Sequence, residues 1–204
     1  GKYFATGDAQ LNDSYHALLH ALEFGGIETD AEITYRLINS EKSEKQIEEL
    51  LEGVAGIVVP IGWGNRGVEG KIKAIKFARE NKIPYLGLCY GMQLACIEYA
   101  RNVLGIQDAT TEEIDEEAKH KIIHSIPFDE KYQTIKGEGT SMRLGGFDCE
   151  IRKGTLAHDI YANTNHVKKK LKGGKLLVSE RHRHRFEFNN EYRKKFEKEG
   201  FVFS

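Results

Sequence analysis

Between residues 83 and 104 an apolar run, Ile83-Pro84-Tyr85-Leu86-Gly87-Leu88, passes without a linker into a segment with helical spacing that reaches about Leu104. The joint is Gly87-Leu88-Cys89-Tyr90-Gly91. A strand that turns this sharply into a helix needs glycine two residues before and two after its apex, because the two backbones come very close there. The apex residue is held in a strained conformation that displays its side chain. A cysteine at that point, at a helix N-terminus, meets unbonded N–H groups and the positive end of the helix dipole, which lower its pKa from about 8.5. Cys89 is therefore the candidate nucleophile, and the N–H of Tyr90 the candidate donor to the oxyanion that forms when it attacks a carbonyl. The alternative is a small buried core residue, the common fate of a lone cysteine. Cys96, seven positions on in the same helix, and Cys149 fit that second description.

The joint sits in a chain that alternates helix-like and strand-like segments. Asn12-Asp13-Ser14 offers caps for a helix at Tyr15–Leu22, and Gly25-Gly26 offers its stop. Ile33, Tyr35 and Leu37 alternate with polar and apolar neighbours as in a strand. Ser43 to Glu52 reads as a short charged helix, Gly56-Ile57-Val58-Val59-Pro60 as a compact strand, and Val68 to Asn81 as a helix with Ile72, Ile75 and Phe77-Ala78 on one stripe. This order predicts an α/β fold around a mainly parallel sheet flanked by helices. The turn Pro60-Ile61-Gly62-Trp63-Gly64-Asn65-Arg66-Gly67 follows a strand end, so Gly62 is the candidate for a second oxyanion N–H. Beyond residue 105, Asp108–Lys119 is acidic and polar and Asp129–Gly146 is loop-like. Strand signals return at Phe147–Ile151 and Lys175–Phe188, and a last helix follows at about 191–198. This half reads as a lid with an antiparallel extension.

Composition narrows the function. With 30 basic and 31 acidic residues the formal charge is −1, so no global field recruits nucleic acid or an anionic membrane. The run Arg181-His182-Arg183-His184-Arg185 places three arginines on one strand face and two histidines on the other, and as a nucleic-acid contact it lacks any supporting basic surplus. No apolar stretch approaches the ~20 residues that span a bilayer. Three cysteines without a C-x-x-C pair argue against a disulfide framework or a zinc site and for a reducing cytosol.

Several runs resemble the glutaminase domain of the CTP synthases, a class I glutamine amidotransferase. Val59-Pro60-Ile61-Gly62-Trp63-Gly64-Asn65-Arg66-Gly67-Val68-Glu69-Gly70-Lys71 is similar to the family's V-P-G-G-F-G-x-R-G-x-E-G-K, and Ile83–Ala95 to its I-P-Y-L-G-x-C-L-G-M-Q-L-A. Glu180-Arg181-His182-Arg183-His184-Arg185-Phe186-Glu187 resembles its E-R-H-R-H-R-[YF]-E, and Met142-Arg143-Leu144-Gly145 its M-R-L-G. Gly1-Lys2-Tyr3 and Asp13-Ser14-Tyr15 are similar to its opening. The resemblance covers the whole chain, residues 1–204, as one amidotransferase domain of flavodoxin-like fold.

It implies that Cys89 attacks the side-chain amide of L-glutamine, releasing ammonia and forming a glutamyl thioester, with Gly62 and Tyr90 as the oxyanion donors. Gln93 and Glu113 would hold the amino end of the substrate and Arg185 its α-carboxylate, in the fork geometry suited to that group. No metal or cofactor is implied for this domain. A separate synthase domain of the same polypeptide would use ATP and Mg²⁺ to aminate UTP to CTP. GTP would activate from near Trp63 and Arg66, and the whole enzyme would be a cytoplasmic homo-oligomer.

The sequence also departs from the family. Its glutaminases use a histidine and a glutamate from a late H-P-E motif, and none of the eight histidines here lies in such a run. The chain opens without methionine and without the family's hydrophobic first strand. It is thus expected to be cut at both ends and, lacking the base, to hydrolyse glutamine poorly. Ile61 stands where the family has glycine, and Tyr90 replaces a leucine, with a ring that could narrow the exit for ammonia. Two other functions remain open: a non-catalytic regulatory relative in which Ile61 closes the oxyanion hole, and a glutaminase serving another acceptor.

Overall fold

The computed structural model describes residues 1–3, 5–6, 9–10, 14–41, 46–127 and 141–204. They group into two compact units, residues 1–102 and 103–204. The first contains an antiparallel pair, β1 (Ala5–Thr6) and β2 (Ala9–Gln10), then α1 (His16–Glu28), α2 (Ile47–Leu50), β3 (Ile57–Val59), α3 (Val68–Glu80), β4 (Tyr85–Gly87) and α4 (Tyr90–Asn102). β3 and β4 pair in parallel with Ile57 opposite Tyr85 and Val59 opposite Gly87. Parallel neighbours need a long crossover, and α3 supplies it. Its buried residues Val68, Ile72, Ile75 and Ala78 recur at three- and four-residue spacing, the stripe that faces the sheet. On α4, Leu94, Ile97 and Ala100 are at most 1% exposed. The two larger side chains each contribute about 1.5–3 kcal/mol of burial.

Arg79 on α3 clasps Glu98 on α4, its Nε and Nη2 donating to the carboxylate at 2.8 to 3.1 Å. Glu98 is buried, so this is a charge with a specific mate rather than a solvated surface pair.

Three expectations for this unit need correction. α1 does not stop at Gly25-Gly26 but runs to Glu28, where the Thr29 N–H and hydroxyl both bond the carbonyls of Gly25 and Gly26. Gly26 is needed for closeness instead: a Cβ there would lie 2.6 Å from the Ala31 carbonyl oxygen. The alternating segment at 33–38 is extended but joins no ladder among the described residues, and Ile33, Tyr35 and Leu37 are exposed. It stands across a cavity of about 740 Å³ from β3. Only its end is bracketed in strand fashion, where the Gly1 nitrogen donates to the Ile38 carbonyl and the Ser40 N–H to the Gly1 carbonyl. The Tyr90 ring is buried within this unit, its hydroxyl donating to the Gly64 carbonyl at 2.7 Å. Of the expected caps, Asn12 and Asp13 lie outside the described residues, as do Ser43 to Lys45 of the charged helix and 129–140 of the loop-like stretch.

The second unit holds β5 (Thr110–Thr111), β6 (Lys121–Ser125), β7 (Arg143–Ile151), α5 (Leu156–Tyr161), β8 (Val167–Lys170), β9 (Leu176–His184), β10 (Phe186–Phe188) and α6 (Arg193–Lys198). One sheet has the order β10-β6-β5, with β6 parallel to β5 and antiparallel to β10. The other, β7-β9-β8, is the expected antiparallel extension. Its core is Ile151, Leu176 and Val178 with Cys149, Tyr161 and Val167 packed against them. Phe196 is fully buried with ring centroids of Phe188 and Phe201 at 5.0 and 5.2 Å, an aromatic cluster that anchors α6 beside β10.

Candidate active site

The carboxyl ends of β3 and β4 lie side by side, and both candidate oxyanion segments leave from there. The Leu88 N–H extends the ladder by one bond to the Val59 carbonyl at 3.0 Å, and the chain then reverses into α4, with the Gly91 N–H on the Leu88 carbonyl and the Gln93 N–H on the Cys89 carbonyl. Cys89 is at the apex with φ of 51°, the left-handed region that a side chain enters only at a cost, and it is exposed. The flanking glycines are required by contact rather than by their own dihedrals. A Cβ on Gly91 would fall 2.1 Å from the Val59 carbonyl oxygen, and one on Gly87 would fall 2.6 Å from the Met92 nitrogen. The Tyr85 hydroxyl fastens the turn from the strand side by donating to the Gly91 carbonyl at 2.8 Å. Cys96, one face of the same helix further on, is buried and its thiol is pushed up to about 12 by that burial, which removes it as a rival nucleophile.

The loop after β3 is tied to the elbow. The Tyr90 hydroxyl bond to Gly64 fixes it from the helix, and the Lys2 ammonium donates to the Trp63 carbonyl from the N-terminal side. Gly62 rests on the Tyr90 ring, where a Cβ would meet Cδ1 at 3.4 Å, and its N–H makes no hydrogen bond among the described residues. The loop takes its two left-handed turns at Gly64 and Gly67. Ile61 has no positive φ and its side chain is exposed, so a β-branched residue in place of the family's glycine carries no left-handed backbone penalty here. Trp63 is 65% exposed, and one side of it meets the Tyr3 ring at 5.5 Å between centroids. Arg66 pairs with Glu41 at 3.2 Å and lies over the Tyr3 ring. Gln93 is buried in the first turn of α4. The first unit thus brings together Cys89, Tyr90, Gln93, Gly62, Trp63 and Arg66.

Lys71 was not singled out by its pattern and proves to be the most unusual charge of this unit. It is 2% exposed, and its ammonium has no hydrogen-bond partner among the described residues. Burial, together with the nearby Lys2 and Arg66 charges, lowers its pKa to about 8. The cavity beside β3 is lined by Leu18, Leu22, Ile33, Leu37 and Val58, with Ser40 and Lys71 among its polar residues. Cys89 does not line it, so the cavity is not where the thiol acts.

The second unit gathers Glu113 and Arg185 at one end of β6. The Arg185 carbonyl accepts from the Ile126 N–H at 2.8 Å, just past the strand. Glu113 follows Glu112, whose N–H bonds the Ile123 carbonyl and whose carboxylate accepts from both the N–H and the hydroxyl of Ser125 at 2.6 and 2.7 Å. Those two bonds hold the Glu112 carboxyl below the usual range. The sheet thus commits the neighbouring Glu112 carboxylate to Ser125. Arg185 also departs from expectation. β9 ends at His184, so Arg185 occupies the corner between β9 and β10 and does not share the exposed face of Arg181 and Arg183.

Comparison with known proteins agrees with this geometry. The family model for class-I glutamine amidotransferases matches residues 10–204. The chain is 44% identical over 205 residues to a CTP synthase of Bacillus velezensis and 43% identical to that of Bacillus subtilis, in each case over 100% of its own length and 35% of the relative's. It therefore spans about a third of the length of the curated relatives it matches. Among solved structures, the glutaminase domain of Trypanosoma brucei CTPS with bound acivicin superposes with a TM-score of 0.77 at 34% identity, over 93% of this chain and 67% of that one. The chain belongs to the class-I glutamine amidotransferases, within the branch formed by the glutaminase domains of CTP synthases.

Proposed function

We propose that the chain hydrolyses the side-chain amide of L-glutamine through Cys89 and supplies the ammonia to a synthase domain that aminates UTP. The observation that carries this reading is the exposed Cys89 thiol at φ of 51°, at the carboxyl end of a parallel strand pair. The Cys89 sulfur adds to the amide carbon, the C–N bond breaks, and the nitrogen leaves as ammonia after taking a proton. Water then cleaves the thioester to glutamate. The negative oxygen formed in each step calls for N–H donors, and those of Gly62 and Tyr90 are assigned to it. Gln93 and Glu113 are assigned to the substrate's amino end and Arg185 to its α-carboxylate. The Trypanosoma domain, with acivicin bound, is a glutaminase domain by its own description, which supports the choice of glutamine for this relative.

No residue of the chain is assigned the role of base, because no His-Pro-Glu run occurs in it. The 204 residues alone are accordingly expected to turn over glutamine several orders of magnitude more slowly than a complete triad does. ATP and Mg²⁺ belong to the synthase reaction. Among the described residues no group of three or more His, Cys, Asp or Glu could hold a metal ion, and no step is routed through one. Trp63, exposed beside the Arg66 cation, is the proposed contact for a GTP activator, and a homo-oligomer is proposed for the full-length protein. Three free cysteines favour a cytoplasmic setting, and no helix among the described residues is long and apolar enough to cross a membrane. The test is ammonia release from L-glutamine by the full-length protein. Cys89→Ala should lower it at least a thousandfold, and a variant that keeps the wild-type rate would exclude Cys89 as nucleophile.

A further inference from the structure

Strand period places Glu180, His182 and His184 on one face of β9, against β7. There three side chains form a line. The Cys149 sulfur lies 3.5 Å from His182 Nε2, His182 Nδ1 lies 2.9 Å from His184 Nε2, and His184 Nδ1 lies 2.8 Å from the Phe186 carbonyl oxygen. A carbonyl can only accept, so His184 must carry hydrogen on Nδ1. With the ring neutral, its Nε2 is then an acceptor and His182 must donate from Nδ1. That leaves His182 Nε2 an acceptor beside the Cys149 sulfur, whose thiol also reaches the Phe147 carbonyl at 3.7 Å. The directions of the two histidine bonds follow from the one at the end.

That last bond spans a corner. β9 ends at His184, β10 begins at Phe186, and Arg185 stands between them, with its own carbonyl held by the Ile126 N–H. We infer that His184 is a positioning residue for Arg185, clipping the corner through its Nδ1–H, and that His182 selects the tautomer that makes the clip. The neutral alternative, with hydrogen on Nε2, would set a lone pair against the Phe186 carbonyl and an N–H against the N–H of His182. The inference rests on the reading of Arg185 as the ligand of the glutamine α-carboxylate and deepens it. A shift of about 1 Å at such a group is enough to weaken substrate alignment.

The surroundings of the pair favour the neutral state. Burial is the main cause that lowers the pKa of both rings, aided by the Arg143 guanidinium from β7. At His184 the bond to the Phe186 carbonyl and then Glu187 act against it, and at His182 Glu180 does. Cys149, the third member, is kept a thiol by burial and by the carboxylates of Glu180 and Asp148. A single proton on the pair leaves the clip intact, since a His184 imidazolium still donates from Nδ1. Two protons oppose N–H to N–H and part the rings. Arg143 also bonds Glu187 across the same corner, so the contribution of His184 must be separated from that of the ion pair.

Asparagine can present a donor near the position of Nδ1, and glutamine one near Nε2, which discriminates the clip from a generic packing role. The full-length protein is assayed for glutamine saturation with His184→Asn, His184→Gln, His184→Ala and, as reference, Arg185→Ala. The expected result is a roughly five- to tenfold rise in KM for His184→Ala and His184→Gln with kcat nearly unchanged, and recovery of most of that loss in His184→Asn. The wild-type KM should be level above the ordinary histidine value of about 6.5 and rise at more acid pH. Nitrogen NMR of histidine-labelled protein at pH 7.5 should show both rings carrying hydrogen on Nδ1. A weakened Arg185→Ala beside three His184 variants with wild-type KM would overturn the inference alone, as would an Nε2–H tautomer at His184. A wild type that shows no glutamine saturation, with Arg185→Ala identical to it, would overturn the functional reading and the inference with it.

Discussion

Two side chains of the first unit hold positions that ordinary folding would avoid, and each makes a distinct prediction. Cys89 occupies left-handed backbone, where a non-glycine residue costs about 1–2 kcal/mol. Cys89→Gly should therefore melt at a higher temperature than Cys89→Ala, by the equivalent of about 1 kcal/mol, though both lack the thiol. Equal melting temperatures would mean that no strain is stored there. Lys71 is a buried ammonium without a hydrogen-bond partner among the described residues, and its pKa is lowered to about 8 from 10.5. Because the folded value lies below the unfolded one, the unfolded chain binds more protons between these two pH values, and stability contributed at this site rises with pH across that window. Lys71→Met should stabilise the protein at pH 7 by about 1–3 kcal/mol and flatten that rise, as measured by urea unfolding at pH 7 and pH 9.5. The position of Lys71 in the run Arg66-Gly67-Val68-Glu69-Gly70-Lys71 was readable, but its burial was not. A lysine at the fourth position of a helix is ordinarily solvated, and only packing of Lys2, Gly62 and Tyr90 around it makes it costly.

At the level of elements, α3 and α4 carry the elbow and are fastened to each other by Arg79 and Glu98. Glu98 is 1% exposed, so Arg79→Ala strands a carboxylate away from water and should cost about 2–3 kcal/mol, more than a solvated ion pair would. A loss under 0.5 kcal/mol in chemical denaturation would show that Glu98 is hydrated. The strands and helices of this region, β3, α3, β4 and α4, follow the apolar periodicity of the sequence closely, because each buries its own regular stripe. Other elements escaped it for identifiable reasons. Lys121–Ser125 is only five residues with a lysine and a histidine among them, yet it becomes β6, central to its sheet. Residues 33–38 alternate as a strand should and make no ladder among the described residues, since a ladder depends on a neighbour that no local pattern specifies. The run 175–188 reads as continuous strand, and its break at Arg185 reflects the hand-over from one sheet to another.

Over the whole molecule, the histidine pair contributes to the acid response beside the Gly1 amine, whose pKa burial lowers to about 5. The folded pKa values of His182 and His184 lie below the ordinary value. Their contribution to stability is therefore complete above about pH 6.5 and is lost as the pH falls through the depressed values. A thermal-melting series from pH 8 to pH 5 should decline at its acid end, and His182→Phe with His184→Asn should reduce that decline. An unchanged acid limb would assign the loss to other groups. The candidate site was legible in the sequence to the extent that backbone contact dictates residue type. A Cβ on Gly87 or Gly91 would lie 2.6 or 2.1 Å from neighbouring main chain, so their spacing around Cys89 survives in the sequence as a signature. The bonding of Glu112 to Ser125, and the corner at Arg185, depend on pairings made at a distance along the chain and leave no such mark.

The central claim is that Cys89, alone of the three cysteines, presents a reactive thiol to a glutamine-shaped ligand. The direct measurement is peptide-resolved mass spectrometry of the chain after treatment with acivicin, with and without L-glutamine, a reaction that tests the thiol without requiring turnover. One adduct is expected, on Cys89, formed at least a hundredfold faster than any on Cys96 or Cys149 and slowed by L-glutamine. An unmodified Cys89 at neutral pH, or labelling spread over all three cysteines and indifferent to glutamine, would contradict it.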